Sequence, residues 1–416
     1  MRAYPLRLLA ALTLLPAATA GVLSGCGKGG SSLTATHTSS RGAVAAPAAR
    51  GAVAVSTKNT TRLGGASPAS DAAAVAQTVY PGLTPATRPQ AVVLVDERSW
   101  PAALTASVLA SAPLGAPLLY TEGNSLPAVS DETLRAMDPL GARALGGAQV
   151  IEIGTSPALP RSYPARALGA EGEPAALAAS VLRLAEALSG HPPPAVLVVA
   201  SDTPRALQMP AAGLAAESGA PILFVTRAAV PAATSAALHS LHNPTIYVLA
   251  PETLHTSAYA QLLRLGTVIH VSGASGEAPS AGESPDPVQN AISISRFSRG
   301  SFGWGIHEAG HGLVFANAAR PLDGPAAAPL SAHGDYGPLL LLDAVASVPA
   351  TLTHYLSDIE PGYTAAVPPV REVYNHGWLI GDERAISAHA QAELDSVLEI
   401  APRQPTAGEA PVAAGE

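Results

Sequence analysis

The sequence predicts an α/β protein made of three tandem Rossmann-like repeats. Short apolar runs alternate with helical segments, which is typical of parallel strands buried on both faces. The same order of elements recurs three times between residues 62 and 400. Because strands that alternate with helices are joined by right-handed crossovers, each repeat should form one parallel sheet. Three similar units in tandem also suit packing with pseudo-threefold symmetry.

The first repeat spans residues 62–163. It opens with Arg62-Leu63-Gly64-Gly65, and Ser67-Pro68 then marks a helix start, because serine suits the N-cap and proline the first helical position. Helices separate three predicted strands. These strands are Ala91-Val92-Val93-Leu94-Val95, Ala116-Pro117-Leu118-Leu119-Tyr120 and Val150-Ile151-Glu152-Ile153-Gly154.

The same order returns in residues 164–264 and again in residues 265–400. The second repeat opens with Arg166-Ala167-Leu168-Gly169, and the third with Val268-Ile269-His270-Val271-Ser272-Gly273. A final helix over 387–400 carries apolar residues on one side. Each repeat therefore has about the size of a common domain.

Residues 1–25 have the pattern of a lipoprotein signal peptide. Arg2 and Arg7 precede an apolar run, and Leu23-Ser24-Gly25-Cys26 resembles a lipobox. In the lipoproteins that this segment resembles, the cysteine carries a diacyl group with chains such as palmitate and becomes the mature N-terminus. Cys26 is therefore the predicted lipidation site, and two acyl chains give stable anchoring in the cell membrane. The alternative is an ordinary secretory signal with an incidental cysteine.

The two ends of the predicted fold differ from it in composition. Residues 26–61 are rich in Gly, Ser, Thr and Ala, which predicts a flexible tether, and residues 401–416 predict a disordered tail. The net charge is -8, and Lys28 and Lys58 are the only lysines. A chain without a basic stripe is not expected to bind nucleic acid.

Ordered motifs resemble the cell-wall-binding repeat 2 family over about residues 62–400. In that family an R-x-x-G opening precedes a helix, F-A-D-A-L begins the next helix, P-I-L-L forms a strand, and I-G-G leads to A-I-S. The matching segments here are Arg62-Leu63-Gly64-Gly65, Trp100-Pro101-Ala102-Ala103-Leu104, Ala116-Pro117-Leu118-Leu119, Leu379-Ile380-Gly381 and Ala385-Ile386-Ser387.

The resemblance implies three Rossmann-like repeats that bind an anionic glycopolymer of the cell wall without covalent attachment. It implies a non-enzymatic, monomeric protein without a cofactor, held at the membrane by Cys26 and facing the wall. Two departures from the family pattern affect charged positions. Ala66-Ser67-Pro68 stands where the family has Asp-Arg after the first glycine, and Ala102 replaces an aspartate.

Four arginines are the candidate polymer contacts. Arg98, Arg205 and Arg320 follow predicted strands and precede helices, and ligands of parallel sheets bind at those strand ends, where helix N-termini favour anions. Arg62 belongs to the opening motif. The alternative is that these arginines are solvated loop charges or salt bridges between the repeats.

Two other functions compete with wall binding. The segment His307-Glu308-Ala309-Gly310-His311 fits H-E-x-x-H, in which a helix would present His307 and His311 to zinc with Glu308 as general base. The surrounding glycines instead predict a loop between a helix and a strand, so we expect no metal site there. A solute-binding lipoprotein of a transporter is also lipid-anchored and α/β, but it would have two lobes rather than three repeats.

Overall fold

The computed structural model describes residues 53–159, 163–169, 172–271, 285–332, 337–364 and 373–402. The strands are β1 Val53–Ser56, β2 Thr60–Gly64, β3 Val92–Asp96, β4 Leu118–Thr121, β5 Val150–Ile153, β6 Ala165–Leu168, β7 Ala195–Ala200, β8 Ile222–Val225, β9 Thr245–Leu249, β10 Thr267–Val271, β11 Gly312–Asn317, β12 Leu339–Leu342, β13 Gly362–Tyr363, β14 His376–Ile380 and β15 Ala401–Pro402.

Helices connect these strands. The α-helices are α1 Pro68–Val79, α2 Trp100–Ala106, α3 Ala128–Met137, α4 Pro174–Ser189, α5 Arg205–Gln208, α6 Pro210–Ser218, α7 Ala232–Ser240, α8 Thr256–Leu262, α9 Pro287–Arg296, α10 Asp323–Ala332, α11 Ala350–Asp358 and α12 Ala388–Val397. Short 3₁₀ helices cover Pro85–Thr87, Ser107–Ala110, Arg143–Leu145 and Pro251–Thr253.

The predicted α/β fold of parallel-sheet repeats is confirmed. Its three main sheets have the strand orders β4-β3-β5-β6, β8-β7-β9-β10 and β12-β11-β14-β2-β1. All pairs within them are parallel except β1 with β2. The central strands are buried apolar runs, as the sequence indicates for strands covered on both faces. A separate short pair joins β13 to β15.

The strand that opens each sequence repeat pairs with the sheet of the preceding repeat. β6 pairs with β5, and β10 pairs with β9. The first repeat has no predecessor, and its opening strand β2 instead pairs with β14 of the third repeat. The three sheets are therefore closed into a ring by the N-terminal strand. The predicted repeat boundaries at 163/164 and 264/265 lie just before strands that complete the previous sheet.

Residues 53–61 belong to the fold, which corrects the prediction of a flexible tether over 26–61. β1 pairs with β2 so that Val53 lies opposite Gly64. Lys58 Nζ lies 2.5 Å from Glu399 Oε1, and Asn59 donates through Nδ2 to the Asp395 carbonyl oxygen at 2.9 Å. The signal peptide over 1–25, Cys26 and the tether up to residue 52 lie outside the described residues, as does the predicted tail from residue 403.

Proline and an N-cap side chain fix where the first helix of a repeat begins. Pro68, Pro174 and Pro287 each occupy the first turn of α1, α4 and α9. The Ser67 and Asp286 side chains accept hydrogen bonds from backbone N–H groups of α1 and α9. These signals were readable from the sequence because each depends on neighbouring residues alone.

Equivalent helices of the three repeats meet at the centre of the molecule. The helix pair α2 and Ser107–Ala110 contacts α6 and α10, and α6 contacts α10. Gly213 permits this approach, because a Cβ atom there would lie 2.9 Å from Ser331 Oγ of α10. A hydrogen bond joins each repeat to the next. These bonds run from Trp100 Nε1 to Gln208 Oε1 at 2.9 Å, from Asn290 Nδ2 to the Leu207 carbonyl at 2.9 Å, and from Tyr120 Oη to the Leu322 carbonyl at 2.7 Å.

Candidate functional site

The carboxyl ends of the parallel strands carry charged loops in every repeat. In the first repeat, Arg98 Nε and Nη2 donate to the two carboxylate oxygens of Asp96 at 3.0 and 2.5 Å. This hydrogen bonding lowers the pKa of Asp96 despite partial burial. The Arg98 side chain is 72% exposed, so a polymer could reach this candidate contact from solvent. Its guanidinium already forms a salt bridge with Asp96.

Arg62 is a buried cross-link between the N-terminal strand and the third repeat. Its Nη1 donates to the Gly381 carbonyl at 3.0 Å and its Nη2 to the Ile386 carbonyl at 2.7 Å. Nε and Nη2 both donate to Gln391 Oε1, at 3.1 and 2.9 Å. The side chain is 6% exposed. Arg62 therefore joins β2 to the third repeat, and its burial keeps it from contacting a polymer. This corrects the expectation that Arg62 is a polymer contact.

Arg320 lies at the seam between the third and first repeats. Its Nε donates to Asp323 Oδ2 at 2.7 Å, and its Nη2 donates to Asp71 Oδ2. Asp71 Oδ1 in turn accepts from the Gly65 backbone N–H at 2.7 Å. Asp71 is fully buried in α1 and Asp323 in α10. Of the two alternatives for Arg320, the structure shows the salt bridge between repeats.

The two buried carboxyl groups at this seam share one guanidinium. Burial and the charge of Asp323 raise the pKa of Asp71, while the Gly65 N–H and Arg320 lower it. The resulting pKa is about 8. Burial also raises the pKa of Asp323 to about 6, opposed by Arg320. One proton on the pair leaves the cluster neutral, so at neutral pH the seam holds one carboxylate and one carboxylic acid.

Arg205 is the candidate contact that best fits an exposed anion site. Arg205 is exposed, and it is the first residue of α5, directly after the loop that follows β7. Among the described residues no carboxylate lies within ion-pair distance of it; Asp202 in the same loop pairs with Arg227 at 3.4 Å. Arg205 therefore presents an unpaired guanidinium at the carboxyl edge of the second sheet.

The H-E-x-x-H segment is a loop, as its glycines predicted. It runs between α9 and β11, and Gly310 donates to Asn375 Oδ1 at 2.8 Å. His307 Nδ1 lies 3.3 Å from Arg296 Nη1, and burial lowers the pKa of His311. The two histidines do not share a helical face with Glu308. Within the part of the chain that the structure describes, no group of three or more His, Cys, Asp or Glu side chains is arranged to hold a metal ion.

Two arginines that the sequence did not single out for binding line one groove in the second repeat. Arg166 on β6 and Arg183 on α4 are both exposed and border a cleft of about 520 Å³. Arg166 opens the second repeat, as Arg62 opens the first. The only sequence signal for this site is the scarcity of lysine, because arginine then supplies nearly all the side chains with a permanent positive charge.

The fold resembles that of two solved proteins of Clostridium difficile. Cwp6 superposes with a TM-score of 0.62 at 18% identity, covering 82% of this chain and 48% of Cwp6. Cwp8 superposes with a TM-score of 0.58 at 16% identity, covering 82% of this chain and 52% of Cwp8. The chain thus spans about half the length of each. No protein-family model and no curated protein sequence matches it.

Among the helices that the structure describes, none is both long and apolar enough to cross a bilayer.

Proposed function

We propose that this protein is a lipid-anchored component of a bacterial cell envelope that binds an anionic cell-wall glycopolymer without covalent attachment. The observation that carries the proposal is the likeness in fold to two C. difficile cell wall proteins over 82% of the chain. The ordered cell-wall-binding repeat 2 motifs support the same function. Cys26 is the proposed attachment site for the lipid.

The charge distribution suits such a ligand. The described body has no lysine beyond Lys58, so its permanently cationic groups are otherwise arginines, and half of these pair with carboxylates. Arg205 makes no ion pair among the described residues and lies at a strand end, where its guanidinium can donate hydrogen bonds to an oxyanion. Several weak contacts on one rigid body gain affinity through effective concentration.

The solute-binding alternative predicts two lobes around a hinge. The structure instead has three sheets closed into a ring by β2, with helices α6 and α10 packed at its centre. A ring of this kind suits a rigid monomeric binding body without catalysis, which is the role that we propose.

Co-sedimentation with purified cell walls tests the proposal. The chain carrying Cys26→Ser is mixed with walls before and after acid extraction of their secondary polymers. We expect binding to intact walls and its loss after extraction. No binding to either preparation would refute glycopolymer binding. A fragment that begins at Thr61 is avoided, since it would lack β1 and the first residue of β2.

Incorporation of a labelled fatty acid tests the anchor separately. The unaltered chain should carry the label and sediment with membranes until detergent is added, and the Cys26→Ser chain should carry no label. Equal label in the two chains would contradict lipid attachment at this residue.

A further inference from the structure

Two adjoining clefts lie along α4 of the second repeat. The first, of about 520 Å³, lies between α4, β6 and the 3₁₀ helix Arg143–Leu145. The second, of about 340 Å³, lies between α4 and α7. Ser180 and Arg183 line both clefts, so the two form one continuous depression, which we call the α4 groove.

The α4 groove is lined by cations without acidic partners. Arg166 borders the first cleft and Arg183 borders both, and no aspartate or glutamate is among the described residues that line either. Arg183 Nη2 donates to Ser180 Oγ at 2.9 Å, which holds the side chain over the groove. A guanidinium has five N–H donors, so most of those on Arg183 are left for a ligand.

Comparison with the other repeats shows that this arrangement is specific to the second. When α1, α4 and α9 are aligned on their first-turn prolines, Gln77, Arg183 and Arg296 occupy the same position. Gln77 donates across to Thr133 of α3 at 2.9 Å. Arg296 Nη2 donates across to Asp358 of α11 at 2.5 Å. In both repeats this position therefore links two helices.

The second repeat has the cation of this link but not its acid. Asp358 is the last residue of α11, and the last residue of the equivalent helix α7 is Ser240. Ser240 lines the α4 groove with Arg183. A serine is uncharged and shorter than an aspartate, so it cannot neutralise the guanidinium. Where the third repeat has a salt bridge, the second has an open groove with a free positive charge.

We infer that the α4 groove binds an oxyanion of a glycan chain, held by the guanidinium groups of Arg166 and Arg183. The oxyanion is a phosphate or a carboxylate, since either accepts paired N–H donors from a guanidinium. The Ser180 and Ser240 hydroxyls donate to the carbonyl groups of Ala176 and Ala237, so their oxygens can accept hydrogen bonds from sugar hydroxyls. Small residues let the chain approach the backbone closely; they are Ala144, Gly146, Gly169, Ala179, Ala233 and Ala236.

This inference rests on the proposed function and assigns its ligand to a place outside the strand ends. The groove has no aromatic side chain among its lining residues, so recognition depends on charge and hydrogen bonds rather than on ring stacking. Binding through the groove should therefore weaken as salt is added, because exposed charges are screened.

The decisive variant is Ser240→Asp, which supplies the acid that the third repeat has at Asp358. Arg183 should then pair within the protein, and binding of the Cys26→Ser chain to cell walls and to the acid-released polymer should fall by about tenfold or more. Arg166→Glu should reduce binding similarly. Ser240→Asn is the uncharged control, and Arg264→Glu is the charge-matched control at an exposed arginine outside the groove. Both controls should bind as the parent chain does.

Each outcome separates the groove from the proposed function. If the parent chain binds and both Ser240→Asp and Arg166→Glu bind equally well, the groove is overturned while glycopolymer binding stands. If the parent chain binds neither walls nor polymer, the proposed function fails and the groove inference fails with it. Thermal unfolding checks that the variants fold. Amidation of the polymer's carboxylates distinguishes the two anions: binding is lost for a carboxylate and retained for a phosphate, and either result agrees with the inference.

Discussion

Arg320 of α10 donates a hydrogen bond to Asp71 of α1, although the two residues belong to the last and first repeats. The same guanidinium holds Asp323, so two buried carboxyl groups compete for one cation. The chain accommodates both by keeping one of them protonated. The junction that closes the ring therefore contains two carboxyl groups with raised pKa values.

The Asp71–Asp323 pair predicts that stability falls as pH rises. The pKa of Asp71 is raised from its usual value of 3.8 to about 8, so between these values the folded chain binds more protons than the unfolded chain. Asp323, whose pKa is raised to about 6, contributes in the same direction up to that pH. The free energy of unfolding should therefore decrease across this range, by up to about 1.4 kcal/mol per pH unit for each of the two carboxyl groups, and the pair should contribute no pH dependence below about pH 4.

Asp71→Asn should flatten this profile. The amide oxygen still accepts from the Gly65 N–H and the amide N–H can donate to Asp323, but the amide nitrogen cannot accept from Arg320, so that bond is lost. The amide has no proton to lose in this pH range. Urea unfolding at pH 5, 6.5 and 8 measures the effect, with Asp202→Asn of an exposed ion pair as control. Parallel profiles for Asp71→Asn and the parent chain would contradict the shared proton.

Arg62→Met should destabilise the fold by about 3 kcal/mol or more. The change leaves the buried carbonyl groups of Gly381 and Ile386 without their donors. Chemical denaturation measures the loss. Arg98→Met is the control, since its exposed ion pair contributes about 1 kcal/mol or less. Equal free energies of unfolding for the two variants would show that the Arg62 hydrogen bonds stabilise the fold no more than an exposed ion pair does.

Arg205→Glu should weaken wall binding without a change in stability. The exposed guanidinium makes no ion pair in the described structure, so its loss removes only a ligand contact. Co-sedimentation across a wall titration gives the affinity, and thermal unfolding gives the stability. Unchanged binding would remove Arg205 from the polymer contacts and leave Arg98 and the α4 groove as the remaining candidates.

Removal of residues 1–64 should cost about 5 kcal/mol or more, while a chain that begins at Pro47 should unfold as the full chain does. The longer deletion takes away β1 and β2, with buried Leu63 and the Arg62 network. Thermal unfolding compares the two. If the chain without residues 1–64 unfolded at the same temperature as the chain that begins at Pro47, β2 would be dispensable for the third sheet.

The sequence predicted the elements of this fold well because strands and helix starts have local signals. The buried runs around Val92 and Leu118 were predicted as strands, and the Ser67-Pro68 helix start was correct. It could not predict which sheet β2 joins, since the partner strand β14 lies at the far end of the chain. Contacts of that separation leave no periodic pattern.

The motif alignment also misplaced one arginine. Leu63 lies opposite Ile380, and Leu168 lies opposite Ile153, so Arg62 corresponds in the sheet to Ala167 and not to Arg166. Because successive residues of a strand face opposite sides, a shift of one residue moves the side chain to the other face. Arg62 is buried and Arg166 is exposed, but Ala167 is exposed as well, so β6 is also covered less than β2.

The pairing of β2 with β14 sets the order in which the protein can mature. The strand made first has its partner among the residues made last, and at about 5–20 residues per second the interval is on the order of tens of seconds. The sheets of the first and second repeats can form while the chain is still growing. The third cannot, so a chain stalled before His376 exposes the edge of β2 to any strand nearby. The third sheet is therefore completed only after the final segment of the chain has been made.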